Sequence, residues 1–176
     1  MEQALHPVHL AFVEQKDAQD KTIYGVSFPQ YRTLADKKIA YLGYKLRVFA
    51  PTEQALSALN LDKWLERLVD YIHISSIRSV PNDIKGYANY YRATPKMILD
   101  ERITHQAKRH GVPYHKAAER FEGYKEQSFV YPHIQLTSQT NHQSYPLYIG
   151  KQTAEVLTDG RFGTYGLSRT SSVPEF

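Results

Sequence analysis

Residues 23–29, Ile-Tyr-Gly-Val-Ser-Phe-Pro, and residues 44–49, Tyr-Lys-Leu-Arg-Val-Phe, decide the fold. Tyr44, Leu46 and Val48 alternate with Lys45, Arg47 and Phe49, the period-two pattern of a strand with one buried face. Ile23–Phe28 is built from strand formers and is stopped by Pro29. Outward from this pair, Leu5–Glu14 reads as a helix: Pro7 suits a first turn, and Leu5, Val8, Leu10, Phe12 and Val13 supply an apolar stripe. Thr52 is placed to cap a short helix through Leu59, and Asp62 a second over Lys63–Tyr71 carrying Trp64, Leu65, Leu68 and Val69. Tyr71–Ser75 then returns as a strand. The order α-β-β-α-β is a ferredoxin-like β-α-β-β-α-β unit without its first strand.

A shift in composition at 80–86, Val-Pro-Asn-Asp-Ile-Lys-Gly, marks a boundary. It divides the chain into residues 1–84 and 85–176. Beyond it, Tyr87–Arg92 is a strand, and Pro95 opens a helix from about Lys96 to His110 that Gly111 ends. A second helix covers Tyr114–Glu122 up to Gly123. Tyr131–Thr140, Tyr145–Ile149 and Thr164–Leu167 read as strands. The expected class is α+β in two small subdomains.

The 176 residues carry 22 Lys and Arg against 18 Asp and Glu, a formal net charge of +4. That excess is concentrated. Between Lys85 and Lys125 there are nine basic and four acidic residues, whereas the rest of the chain is close to neutral. Tyr87, Tyr90, Tyr91 and Tyr114 lie among these cations. Cations that hold phosphates, interleaved with rings that offer stacking faces, favour nucleic acid over a merely solvated surface. Within the helix, Arg102, His105, Gln106 and Arg109 fall at i, i+3, i+4 and i+7 and form a polar stripe, while Ile98, Ile103 and Ala107 lie off it. The absence of cysteine excludes disulfide scaffolds, thiolate zinc sites and cysteine nucleophiles. No apolar run approaches the roughly 18 residues of a membrane span, and no signal-peptide layout opens the chain, so an intracellular, soluble protein is expected.

Few residues stand out for chemistry. His6 and His9 share a helix face, and as a pair they suit either ordinary boundary positions or general acid–base work near neutral pH. No third ligand completes a metal set at suitable spacing. Ser138 shares a strand face with Ile134 and Leu136, an unusual place for a hydroxyl without a partner. No nucleophile elbow, Walker loop or dinucleotide fingerprint is present.

Taken together, Gly25–Pro29, the strand ending in Ser138-Gln139-Thr140, and Tyr165-Gly166-Leu167-Ser168 followed by Val173-Pro174 resemble the CRISPR RNA-processing endoribonucleases of type I-F systems. The resemblance runs from about His9 to Phe176. It implies a ferredoxin-like N-terminal domain and a C-terminal RNA-binding domain with an exposed basic helix. It also implies cleavage of CRISPR repeat RNA at the 3′ base of its stem-loop, with the product hairpin retained. By the match, His9 is the base that deprotonates the 2′-OH upstream of the scissile phosphate, Ser138 holds that hydroxyl, and Tyr165 supports the histidine. No metal or cofactor is expected.

The same resemblance places His105, Lys108 and Arg109 on the arginine-rich helix that follows the hairpin groove, with Arg102 on the same stripe. Arg92 matches a residue that reads a base at the foot of the stem, and Thr94 replaces a glutamine that reads its neighbour. Tyr145 matches an aromatic that stacks at the stem base, and Gln139 and Thr140 lie by the cleavage site. The implied partners are the repeat hairpin and further subunits of a CRISPR-RNA-guided complex acting in antiviral defence in a prokaryotic cytoplasm. A non-catalytic hairpin-binding subunit would use the same binding residues, and a histidine-dependent metallohydrolase is the third alternative.

Overall fold

The computed structural model of the chain describes residues 2–34, 38–94, 99–123, 130–138, 143–158 and 160–176. The first element is a helix, α1 (Glu2–Glu14), in which Leu5, Val8, Ala11 and Phe12 recur at three- and four-residue intervals and are all buried. The helix begins before Leu5, so Pro7 lies inside it rather than in its first turn. One backbone hydrogen bond is lost there.

Four short strands follow: β1 (Lys21–Thr22), β2 (Gly25–Ser27), β3 (Arg32–Leu34) and β4 (Ile39–Tyr41). After them come β5 (Arg47–Phe49), α2 (Glu53–Ala58) and α3 (Leu61–Trp64). The strands at 25–27 and 47–49 pair antiparallel, with Val26 opposite Val48. Thr52 caps α2 as its residue type predicts, accepting from the Ala55 N–H at 3.1 Å. The second helix departs from expectation. Asn60, not Asp62, occupies the N-cap position, and α3 gives way after Trp64 to a 3₁₀ turn at Glu66–Leu68. Trp64, Leu65 and Leu68 reach the core, but Val69 and Tyr71 are exposed, so nothing rewards a longer helix. Tyr71–Ser75 forms no strand; residues 72–81 lie outside regular secondary structure.

The second half supplies β6 (Gly86–Ala93), α4 (Leu99–His110), α5 (Tyr114–Glu119), β7 (His133–Thr137) and β8 (Ser144–Ala154). The chain closes with β9 (Phe162–Gly163) and β10 (Val173–Glu175). A four-stranded sheet in the order β10-β6-β8-β7 is antiparallel throughout. The class is α+β, as the element pattern implies. Thr164–Leu167 is a tight turn rather than a strand: the Gly163 N–H donates to the Leu167 carbonyl at 2.9 Å, and the Gly166 N–H to the Gly163 carbonyl at 2.8 Å.

One apolar cluster joins the two halves of the chain. Leu5, Val8 and Phe12 of α1 belong to it with Tyr24, Val26 and Phe28 around β2, and with Ile134, Leu136, Leu147 and Ile149 from the inner face of β7 and β8. Each large side chain buried there contributes about 1.5–3 kcal/mol. Phe12 stacks on Tyr24 with ring centres 5.3 Å apart, and Phe28 meets Tyr90 edge-on at 5.5 Å. The Tyr90 hydroxyl donates to Glu175 at 2.8 Å, and Glu175 in turn pairs with Lys151 at 2.7 Å. Contacts between α1 and β7 bring the N-terminal helix to the sheet.

Candidate RNA-cleavage site

His9 follows Val8 on α1, so the burial that anchors Leu5, Val8 and Phe12 also fixes the backbone from which its ring projects. Two contacts from the far end of the chain orient the ring. Its Nδ1 lies 2.8 Å from the Thr164 carbonyl oxygen, and its plane stacks on Tyr165 with centres 3.9 Å apart and only 9° between the planes. A carbonyl can only accept, so Nδ1 carries the proton and Nε2 is left with its lone pair. Burial lowers the His9 pKa below the ordinary imidazole value, the Thr164 bond opposes that shift, and His6 adds to it. The lowered pKa favours the neutral imidazole, with the lone pair on Nε2. The His6 ring lies one turn away, 6.5 Å from His9 and tilted by 50°.

The turn that carries Thr164 and Tyr165 is locked to β2. The Val26 N–H donates to the Gly166 carbonyl at 3.0 Å, and Gly166 has a φ of +70°. A Cβ there would stand 2.5 Å from Val26 Cγ1 and 2.9 Å from Phe12 Cε2. Only glycine fits. At its other end the Tyr165 ring is held by a 2.6 Å bond between its hydroxyl and that of Tyr145. Burial and this bond push the Tyr165 pKa above the usual phenol range, with the Arg92 charge opposing them, so the ring stays neutral.

Tyr145 stands opposite Leu136 in the β7–β8 ladder. The Ser138 N–H donates to the Gln143 carbonyl at 2.9 Å, which carries the pairing one step past Thr137. Because opposed residues share a face, Ser138 lies on the same side of the sheet as Leu136 and Tyr145. Arg92 stands opposite Ile149, which places it on that face too, near enough for its charge to act on Tyr165. His9, Tyr165, Tyr145 and Arg92 are thus brought together, and Ser138 lies at the end of the strand against which α1 packs. Thr94 is exposed and follows the end of β6. Gln139 and Thr140 lie outside the described residues.

The basic helix is a separate surface. Ile103 and Ala117 are the buried residues of α4 and α5, and the Tyr114 hydroxyl donates to Asp100 at 2.6 Å across the pair. His105, Lys108 and Arg109 are on the outward side, and among the described residues none has a carboxylate at salt-bridge distance. Arg102 differs: its guanidinium lies 5.5 Å from the centre of the Phe121 ring. Lys108, Arg109 and His110 occupy the last turn, where the helix dipole also favours positive charge.

Two parts of the site have no signal along the chain that identifies them. The Thr164 carbonyl, a backbone atom 155 residues from His9, has no side-chain signature. The Tyr145–Tyr165 bond is likewise invisible in the sequence, although Gly166 could have marked the turn that makes it.

A family model described as CRISPR-associated protein (Cas_Csy4) matches residues 1–176. Among curated proteins, the CRISPR-associated endonuclease Cas6/Csy4 of Escherichia coli (strain UTI89 / UPEC) is 30% identical over 155 residues, covering 86% of this chain and 78% of that protein. The protein of the same name from Pseudomonas aeruginosa (strain UCBPP-PA14) is 29% identical over 160 residues, covering 90% and 82% respectively. No helix among the described residues is long and apolar enough to cross a membrane.

Proposed function

The chain belongs to the Cas_Csy4 family of CRISPR-associated proteins, and from that premise we propose that it is an endoribonuclease that processes CRISPR repeat RNA. The observation that carries this reading is the fixed His9 ring, whose Nδ1 is committed to Thr164 and whose plane is stacked on Tyr165. Its Nε2 takes the proton of the ribose 2′-OH upstream of the scissile phosphate. The 2′-oxygen attacks phosphorus, the bond to O5′ breaks, and the leaving oxygen takes up a proton. The products end in a 2′,3′-cyclic phosphate and a 5′-OH. Ser138 holds the 2′-OH, and Tyr165 holds His9. The nucleophile belongs to the substrate, so the protein supplies position and proton transfer, and the step calls for no metal ion.

In this reading residues 1–84 carry the base, and residues 85–176 carry the hairpin-binding surface and the Ser138 and Tyr165 side chains. His105, Lys108, Arg109 and Arg102 face the stem. A-form major grooves are too narrow for side chains to read, so phosphate contacts dominate there. Arg92 and Thr94 meet bases at the stem foot, the Tyr145 ring stacks beneath them, and Gln139 and Thr140 border the scissile bond. The cleaved hairpin stays bound and joins other subunits of a CRISPR-RNA-guided complex in the cytoplasm.

Incubation of a repeat hairpin with the protein in EDTA tests the reading. Cleavage at the 3′ stem base with cyclic-phosphate and 5′-OH ends is expected. His9→Ala should lower the rate by about 10²–10⁴-fold while leaving hairpin affinity in place. Intact RNA after long incubation would refute nuclease activity, and cleavage abolished by EDTA would refute the metal-free mechanism.

A further inference from the structure

Tyr165 can orient His9 only if its own ring is immobile, and the structure restrains that ring at both ends. Its backbone sits in the turn bound to Val26, while its hydroxyl, at the far end of a half-buried side chain, bonds to the Tyr145 hydroxyl at 2.6 Å. The first restraint leaves the side-chain torsions of Tyr165 free. The second closes them, because Tyr145 is seated in the β7–β8 ladder opposite buried Leu136. A nearly parallel stack at 3.9 Å is a specific arrangement that rings reach when something else fixes them, since edge-on and offset packings compete with it.

We propose that the Tyr145 hydroxyl is a positioning group for cleavage: by holding the Tyr165 hydroxyl it fixes the ring that sets the plane of His9. The inference rests on the endoribonuclease reading and gives Tyr145 a duty distinct from stacking. Its ring would lie against the stem foot while its oxygen faces the protein. The residue that meets the end of the stem is then directly bonded to the residue that orients the base. Phenylalanine at 145 could still stack on RNA, but it would leave the Tyr165 hydroxyl without this partner. The Tyr165 hydroxyl stays neutral, because the bond and burial raise its pKa. The link therefore persists across the working pH range.

The test compares the full-length wild type, Tyr145→Phe, Tyr165→Phe and the double variant. Single-turnover cleavage is measured, together with affinity for a hairpin carrying 2′-deoxyribose at the cleavage nucleotide and the NMR titration of His9 in the free protein. Tyr145→Phe is expected to cleave about 2- to 10-fold more slowly, the rate equivalent of one ordinary hydrogen bond. Its affinity should stay within about two-fold of wild type, because the stacking ring is retained. The His9 pKa should rise, since a looser Tyr165 uncovers the imidazole and burial is what lowers that pKa. The double variant should be no slower than Tyr165→Phe, because both changes break the same link.

If Tyr145→Phe matches wild type in rate and in His9 titration, the positioning role is overturned while the nuclease reading stands. A wild-type protein that leaves the hairpin intact overturns both. The NMR titration reads the link without cleavage, and a Tyr145→Phe protein whose affinity alone collapses would overturn the positioning role in favour of a residue that only stacks.

Discussion

Replacing Gly166 by alanine should weaken the fold and the site together. Its φ of +70° costs an alanine about 1–2 kcal/mol. The new Cβ would stand 2.5 Å from Val26 Cγ1 and 2.9 Å from a Phe12 ring carbon, and both neighbours are buried. Neither can swing away, so overpacking adds about 1–3 kcal/mol. The stiffer unfolded chain returns about 0.4–1 kcal/mol. The net loss is about 1–4.5 kcal/mol, a large share of the roughly 5–15 kcal/mol typical of a domain. Gly111 provides the control, because it has a similar φ of +62° but nothing within 4 Å of its missing Cβ. Gly111→Ala should therefore lose at most about 1.5 kcal/mol. Urea titrations of the two variants, followed by circular dichroism, isolate the packing contribution as their difference. Under conditions where Gly166→Ala remains folded, its cleavage should also fall, since Thr164 and Tyr165 move with the turn. Equal urea midpoints for the two variants, with wild-type cleavage by Gly166→Ala, would refute this account of how the turn is held.

Two further outcomes follow from the charges. If His9 is the base, as proposed, cleavage needs it neutral, and burial depresses its pKa, so activity should persist at pH 6.5 and fall only as pH drops through the lower, folded value. His6→Ala removes a charge that lowers this pKa, and the midpoint of the acid limb should move up; a wild-type midpoint above 6.5 would contradict the burial argument. Lys108→Ala or Arg109→Ala should reduce the salt dependence of hairpin binding by about 0.7–0.9 log units per decade of salt for each phosphate no longer neutralised. An unchanged slope would leave those cations on a merely solvated face.

The strand pair at the centre of the N-terminal half was legible from local strand formers, and Thr52 from its place before α2. The alternation at 44–49 overreached: the strand covers only Arg47–Phe49, all three half-buried, and Tyr44, expected on the buried face, is exposed. The basic helix was legible from local cues as well, and Gly111 ends it where the sequence indicates, with its φ of +62°. Misreadings arose where tertiary packing outvoted local pattern. Lys63–Tyr71 has helical spacing, but exposed Val69 and Tyr71 find no core, and the helix stops at Trp64. Thr164–Leu167 has strand-like residues, yet Gly166 turns the chain back on itself, and that reversal gives His9 its hydrogen-bond partner. Among the candidate residues, His9, Ser138 and Tyr165 could be singled out from residue type and resemblance. Their arrangement could not be, because it depends on contacts between segments far apart in the chain, His9 and Thr164 being separated by 155 positions.

That distance has a chemical consequence. A mechanism in which the substrate brings its own nucleophile asks little of side-chain reactivity and much of geometry. In the proposed mechanism the imidazole is the base: burial favours its neutral form, and a backbone carbonyl and a stacked ring aim it, all of which depend on the packing of α1 against the sheet and of the 163–167 turn against β2. Catalysis should therefore be lost in two separable ways. Removing His9 deletes the base from an intact fold, whereas crowding Val26 or Phe12 leaves every reacting group present but misaligned. The first loss is not restored by conditions that stabilise the fold, saturating hairpin among them. The second should be partly reversed by conditions that favour the native packing, among them bound hairpin, because a ligand that binds only the folded state stabilises it increasingly as its concentration exceeds its Kd.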